Sequence, residues 1–397
     1  MRISFNRMEW AGSVGDLGTL LPLAFAMIMI NGLSSTGLFL TIGLLYIIGG
    51  LYYRVPIAVQ PMKVVSAYAI AQALSPGVVT ASGMLLAALL LFLGTTGLVT
   101  YVSKLVPKGV VRGVQMATGI LLLSKGASLV VGSSSFQTMR GNVEPFLSVQ
   151  GVGPVPMSVI IGVLFAAIAL FLLNNKKYPA GLVVVVLGTV CGILFGAFRE
   201  LAGVHPGFYL PQFLPFGMPT SIDFSFAMFA LVLPQIPMTM GNAVIANRDL
   251  SHEYFGKESR RVTDRALCIS MGLANVFASL VGGMPICHGA GGLAAHYRFG
   301  ARTNGSNLII GGLFIALAVI FGPGAVNALH LLPMGVLGVL LLFAGAQLAL
   351  TIQDVTNRSD LFVIVIMLGI TLAANLAWAF GVGVCLAFLL HKKNITV

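Results

Sequence analysis

Apolar residues run along this chain in long unbroken blocks, separated by short polar or Pro/Gly-rich gaps. Blocks of about 20 residues match the hydrocarbon core of a bilayer, and their continuity predicts helices rather than the alternating strands of a β-barrel. The blocks lie near residues 11–30, 37–53, 60–75, 79–102, 110–131, 155–173 and 179–198, then 223–246, 264–282, 287–297, 305–322, 332–351 and 360–390. The last would be about 45 Å long as one helix, too long for a single crossing, so AANLAWAFGVG is expected to break it between Asn375 and Gly381. The fold class expected is therefore an all-α polytopic membrane protein of 14 transmembrane segments.

Basic residues orient these segments. With both termini inside, the inner loops collect most of the arginines and lysines, from Arg2, Arg54, Lys104, Lys108 and Arg112 through Lys176, Lys177, Arg248, Lys257, Arg260, Arg261 and Arg265 to Arg358, while Lys125, Arg140 and Arg199 are left outside. Such a bias predicts an even number of spans and cytoplasmic termini; the membrane expected, apart from this bias, is the cell (inner) membrane. The hydrophilic stretch NRDLSHEYFGKESRRVTDR reads as a solvated cytoplasmic connector. Fourteen spans divide into residues 1–198, an extracytoplasmic connector at 199–222, and 223–397. Two sevens have opposite orientation in the membrane, which makes an inverted repeat of the kind that builds alternating-access transporters.

Composition agrees. Hydrophobic residues make up 57% and charged residues 8% of the 397, against roughly a quarter charged in soluble domains. A net charge of +11 would suggest nucleic acid in a soluble protein; here the inner loops account for it, and no nucleic acid partner is expected. The N-terminus lacks the pattern of a cleaved signal peptide, and no soluble C-terminal domain is expected after the last span. Cys191, Cys268, Cys287 and Cys385 have no paired spacing and read as free thiols, with neither a metal site nor a cofactor implied.

The third span of each half is anomalous. VPIAVQPMKVV carries Pro56 and Pro61, and GGMPICHGAGGLAAH carries Pro285 and a cluster of glycines. In each, an extended approach should lead into a half-helix, and short interrupted segments at matching places in two halves point to a substrate site. Half-helices running in opposite directions aim their N-termini, with unpaired N–H groups and positive dipole ends, at one small volume suited to an anion. Lys63, in the first turn after Pro61, would add a full positive charge, its counter-ion being the cargo. His288 and Gly289 hold the like position after Pro285, where small residues allow close backbone approach. Other readings stand beside these: Lys63 snorkelling to the cytoplasmic face or pairing with Asp16, His288 as a core histidine, Cys287 and the glycines as packing residues. The first span of each half adds polar groups, Asp16, Gly18 and Thr19 in one, Gln235, Thr239 and Asn242 in the other. Gln and Thr can donate to oxyanion oxygens. An ionised Asp16 cannot, and would be a proton carrier, a cation ligand or the resting partner of Lys63.

GDLGTLLPL, PIAVQPMK, LPQIPMTMGNAVIA and MPICHGAGGLAAHYRFGART together resemble the molybdate transporter family related to the sulfate permeases, over nearly the whole chain. The resemblance implies uptake of molybdate, a tetrahedral dianion, through a seven-plus-seven fold with core and gate domains, spans one, three, eight and ten lining the site. It carries over to Gln60, Met62, Lys63, Cys287, His288, Gly289, Ala290 and Gly291. Nucleobase transporters of this fold hold the ring edge with glutamates on spans eight and ten; Gln235 and Cys287–His288 stand there instead. The expected partners are a small oxyanion and the lipid bilayer, with a coupling ion and a second copy in a homodimer as further candidates. Sulfate or another oxyanion, or an anion channel, remains open. An enzyme is not expected, because adjacent helical residues such as Cys287 and His288 point about 100° apart and make a poor catalytic dyad.

Overall fold

The computed structural model describes residues 3–99, 107–173, 175 and 178–393; Arg2, Lys104, Lys176 and Lys177 of the expected inner loops lie outside the described residues. Within them every expected span coincides with a helix. The first half holds Leu17–Met29, Ser35–Tyr53, Lys63–Gln72, Pro76–Thr96, Lys108–Val131, Met157–Leu172 and Ala180–Leu194. The second holds Ser221–Ser259, Asp264–Leu280, Ala290–Phe299, Gly305–Phe321, Met334–Ala349, Arg358–Ala373 and Leu376–Lys393. Among the described residues, six helices are long and apolar enough to cross a membrane alone, or up to eight if each bent pair is one span. The last apolar block breaks after Ala373, beside Asn375, whose side chain accepts from the Trp378 amide to start the next helix.

Three long helix pairs form the framework. Lys108–Val131 packs on Met334–Ala349, Pro76–Thr96 on Asp264–Leu280, and Ser35–Tyr53 on Gly305–Phe321. Exchanging the two halves of the chain maps the second pair onto the third. Apolar side chains gain little by associating in lipid, so close contact needs small residues. A Cβ on Gly119 would stand 2.7 Å from the Gly345 carbonyl oxygen, and one on Gly126 would stand 2.6 Å from that of Gly338.

Between these pairs lie two short helices, Lys63–Gln72 and Ala290–Phe299, each preceded by extended chain. Gln60–Pro61 pairs antiparallel with Ile286–Cys287, Gln60 opposite Cys287 and Pro61 opposite Ile286, and Met62 N–H extends the pairing to the Pro285 carbonyl at 2.9 Å. Backbone away from water must find partners inside the protein, and two buried asparagines supply more. Asn275 bonds both the N–H and the C=O of Ile286, at 2.9 and 2.8 Å. Asn307 does the same for Ile57, at 3.1 and 2.8 Å.

Two features depart from the sequence reading. The first span is bent by 41° between Arg7–Ser13 and Leu17–Met29. The turn is fixed where Gly12 and Gly15 press on Ala301 and Ala295, leaving no room for a Cβ. The hydrophilic stretch after span eight is not all connector, because helix continues through Phe255. Its buried face explains this: Asn247 donates to the His288 carbonyl at 3.1 Å, and Ser251 is fully buried beside it. Span eight itself contains π turns at Met228–Val232 and Thr239–Ala246, flanking Pro234 and Pro237, as expected where proline removes N–H groups from the helical ladder.

Candidate functional site

The paired extended segments bring the starts of the two short helices together, and a cavity of 520 Å³ opens beside them. Of the polar and glycine residues singled out as site candidates in the sequence, Thr19, Lys63, Asn242 and Gly291 line it. The remaining wall comes largely from Lys108–Val131 and Met334–Ala349 and the turn after it, with Arg112, Gln115, Gln347 and Thr351, and from Met238 and Gly241 of span eight. A second hollow of 260 Å³ meets it at Thr19, Gly291, Ala344 and Gln347, and Asp16 and Arg298 line that branch.

Charge in the main cavity is one-sided. Lys63, Lys108 and Arg112 line it, and among the described residues no carboxylate does. The two outer cations are held by Asp354: Arg112 reaches it at 2.6 Å and Lys108 at 3.1 Å, with Asp354 and Lys108 about half exposed, so this end reaches solvent. Lys63 is half-buried and forms no ion pair among the described residues. Asp16, expected as a resting partner, forms no direct ion pair with it. Gln60 Nε2 donates to both Asp16 oxygens, at 2.9 and 2.8 Å.

The two short helices present different N-termini. Gln235 caps the first, its Oε1 accepting from Val64 N–H at 3.0 Å and Val65 N–H at 3.3 Å, while its Nε2 donates to Thr239 Oγ1 at 3.0 Å. Gln235 and Thr239 therefore serve the half-helix directly, and neither lines the cavity. The second helix has no side-chain cap, and the N–H groups of Ala290, Gly291 and Gly292 have no protein acceptor among the described residues. A Cβ built on Gly291 would meet only Lys63 Nζ, at 4.0 Å. The free dipole end and the free ammonium face the same space.

Other expected residues stand behind this surface. His288 is fully buried, with Nδ1 2.9 Å from the Ala58 carbonyl and Nε2 2.9 Å from Ser270 Oγ. A carbonyl can only accept, so Nδ1 carries the proton and Nε2 takes one from Ser270, which in turn accepts from Tyr53 at 2.8 Å. Cys287 Sγ faces the Pro61 carbonyl at 3.8 Å, and Met62 is fully buried. Ala290 is buried in the first turn. Gly289 does not open onto the cavity either: a Cβ there would fall 1.7 Å from Gln60 Oε1. Its small size serves packing against Gln60, where approach to a ligand was expected. His288 and Cys287 brace the half-helix from behind.

The family profile described as "Molybdate transporter of MFS superfamily" matches residues 8–122 and 227–348, more than half of the chain. The chain belongs to the molybdate transporter family. Among curated relatives of that family, "Molybdate transporter 2" of Arabidopsis thaliana is 30% identical over 98% of this chain and 88% of its own length. "Molybdate transporter 1" of the same plant is 28% identical over 97% and 88%. Among solved structures, the transmembrane domain of the cyanobacterial bicarbonate transporter BicA superposes with a TM-score of 0.67, at 16% identity, covering 97% of this chain and 98% of that one. That likeness shows the fold. It also qualifies the words "MFS superfamily" in the profile's description, since such transporters consist of two six-span halves related by an axis along the membrane normal. This family member has the BicA-like arrangement.

The residues missed from the sequence are those of the facing wall. Gln115 accepts from Arg112 at 2.7 Å and from Thr351 at 2.9 Å, and donates to Met238 Sδ at 2.7 Å. Gln347 is likewise a lone amide in the apolar run of Met334–Ala349.

Proposed function

We infer that this protein carries molybdate across the membrane by alternating access, the dianion lying in the main cavity between Lys63, the Thr19 hydroxyl and the free N–H groups of residues 290 to 292. The observation that carries the reading is Lys63: a half-buried ammonium in a cavity wall without carboxylates, with no ion-pair partner of its own. A buried charge is costly without a counter-ion, and a tetrahedral dianion supplies one together with acceptors for the dipole end. The relatives named as molybdate transporters support the choice of anion.

Residues 1–198 and 223–397 form the two repeats in this reading, joined by an extracytoplasmic connector at 199–222, with both termini in the cytoplasm. Spans one, three, eight and ten form the core and spans five and twelve face them from the gate. The cavity's exposed end, at Lys108 and Asp354, is then cytoplasmic, which makes this an inward-open state. Asp16, bonded to Gln60 and lining the second branch, is the group for a coupling proton or cation.

Equilibrium binding of radiolabelled molybdate to the purified protein tests the reading, with tungstate, sulfate and uracil as competitors. Saturable binding displaced by tungstate and not by uracil is expected. Displacement by equimolar sulfate as effective as by molybdate would move the assignment to a general oxyanion carrier, and absence of saturable binding would remove it.

A further inference from the structure

A second site is built away from the cavity. A groove of 430 Å³ runs between Ser35–Tyr53 and Asp264–Leu280, walled by Leu45, Ile48, Tyr52, Ile269, Leu273 and Phe277 among others. Ile48, Tyr52 and Leu273 are each at least half exposed, so the groove is open along its length. In a chain that spans a bilayer, such a face meets acyl chains.

The groove does not end in more apolar surface. Next to Tyr52 lies a hollow of 280 Å³ lined by Arg54, Lys257, Glu258, Arg260 and Arg261. Arg261 joins the two: its Nη1 donates to the Tyr52 carbonyl at 3.0 Å, and its guanidinium lies 6.0 Å from the centre of the Tyr52 ring. Four cations thus face one carboxylate. None of the four forms an ion pair among the described residues, and Arg54, Lys257 and Arg260 are exposed. The distribution of basic residues puts this end on the cytoplasmic side, where basic hollows beside spans bind anionic lipid head groups.

We propose that groove and hollow together bind one anionic phospholipid of the cytoplasmic leaflet, its phosphate on the basic cluster and one acyl chain between the two helices. A free phosphate would use the cations and leave the adjoining groove without purpose. A second copy related by a two-fold axis would bring the same patch against itself and press cations on cations. The lipid has both halves of the required chemistry. Its chain would lie against Tyr53 and Ser270, the pair that fixes His288 behind the second short helix.

Native mass spectrometry of the full chain in detergent tests this, with palmitoyl-oleoyl phosphatidylglycerol and phosphatidylcholine added in equal amounts. One retained phosphatidylglycerol is expected, with phosphatidylcholine lost. The triple variant Lys257→Gln, Arg260→Gln, Arg261→Gln should bind phosphatidylglycerol about a hundredfold more weakly. Leu273→Trp, which fills the groove and leaves every charge in place, should also reduce retention. Equal retention of the two lipids, an unaffected triple variant, or displacement by equimolar glycerol phosphate would each overturn the proposal. So would a dimer that the triple variant dissolves.

Discussion

Gln60 Nε2 lies within 2.9 Å of both carboxylate oxygens of Asp16, and its own Oε1, also buried, has no hydrogen-bond partner among the described residues. One amide therefore holds the first span to the extended segment before the first short helix. The free Oε1 sits where a side chain at residue 289 would go. Gln60→Ala should leave the buried Asp16 with Thr19 as its remaining side-chain donor and cost about 1–3 kcal/mol, read as a lower midpoint of thermal unfolding in detergent. Gly289→Ala should reproduce much of this loss by displacing Gln60. An unchanged midpoint in both variants would show that the contact contributes nothing.

Lys63→Ala should weaken molybdate binding by at least about a hundredfold, the upper end of what one charge-assisted hydrogen bond is worth, since the main counter-charge is lost. Lys63→Arg should be impaired too, because a planar fork replaces a compact ammonium. The variants should remain monodisperse on gel filtration, with isothermal titration reading the affinity. Near-normal affinity in Lys63→Ala would place the anion elsewhere.

Gly291 and His288 separate the surface of the site from its support. Gly291→Val would project a branched side chain toward Lys63 and should abolish binding at little cost in stability, because nothing but the ammonium is near. His288→Gln should do the reverse, lowering the melting temperature through loss of the Ala58 and Ser270 bonds while retaining measurable affinity. If His288→Gln alone abolishes binding in a protein of normal stability, the imidazole belongs to the ligand after all.

Glu144 offers a pH test. It is buried in the loop between the Lys108–Val131 and Met157–Leu172 helices and accepts from Met334 N–H at 2.9 Å and Gly335 N–H at 3.0 Å. Burial raises its carboxyl from the ordinary 4.5 to about 7, although these two bonds pull the other way. The folded protein then binds more protons than the unfolded one between those values, so stability should fall as pH rises from 4.5 through 7. Glu144→Gln should flatten that part of the melting-temperature profile. An identical slope in wild type and variant would assign it to another group.

The orientation can be read with one engineered thiol. Ser251 is buried, so Lys257→Cys is the better site, in a background where the exposed Cys385 is serine. A membrane-impermeant maleimide should react only after permeabilisation. Reaction in intact cells would invert the topology and turn the cavity's open end outward.

The spans were legible because burial in lipid forces continuous apolar blocks, and the two interrupted segments because Pro61 and Pro285 stand beside Gln60 and a run of glycines in blocks otherwise too short to cross. Lys63 was legible for its isolation in VPIAVQPMKVV. The division of labour around it was not. Nothing in the residue types says that Gln235 would spend its oxygen on Val64 and Val65, or that His288 would turn to Ala58 and not toward the cavity. Those outcomes depend on which face of a short helix the neighbouring spans cover. Gln115 was passed over because Lys108–Val131 shows no break, and a helix without a break gives no reason to look for a wall of the site on it.

The two-residue ladder between Gln60–Pro61 and Ile286–Cys287 joins positions that are made far apart in time. The contact of Cys287 with Pro61 spans 226 residues, and a ribosome adding roughly 5–20 residues per second needs on the order of ten to fifty seconds to bridge them. For that interval the first short helix is present without its opposite strand, and Met62 N–H without the Pro285 carbonyl. Unpaired backbone is not tolerated against lipid, so the nascent first half must be sheltered by the insertion machinery or stay beside water until residue 287 emerges. A chain truncated before that point would be a substrate for quality-control proteases, however apolar its completed spans.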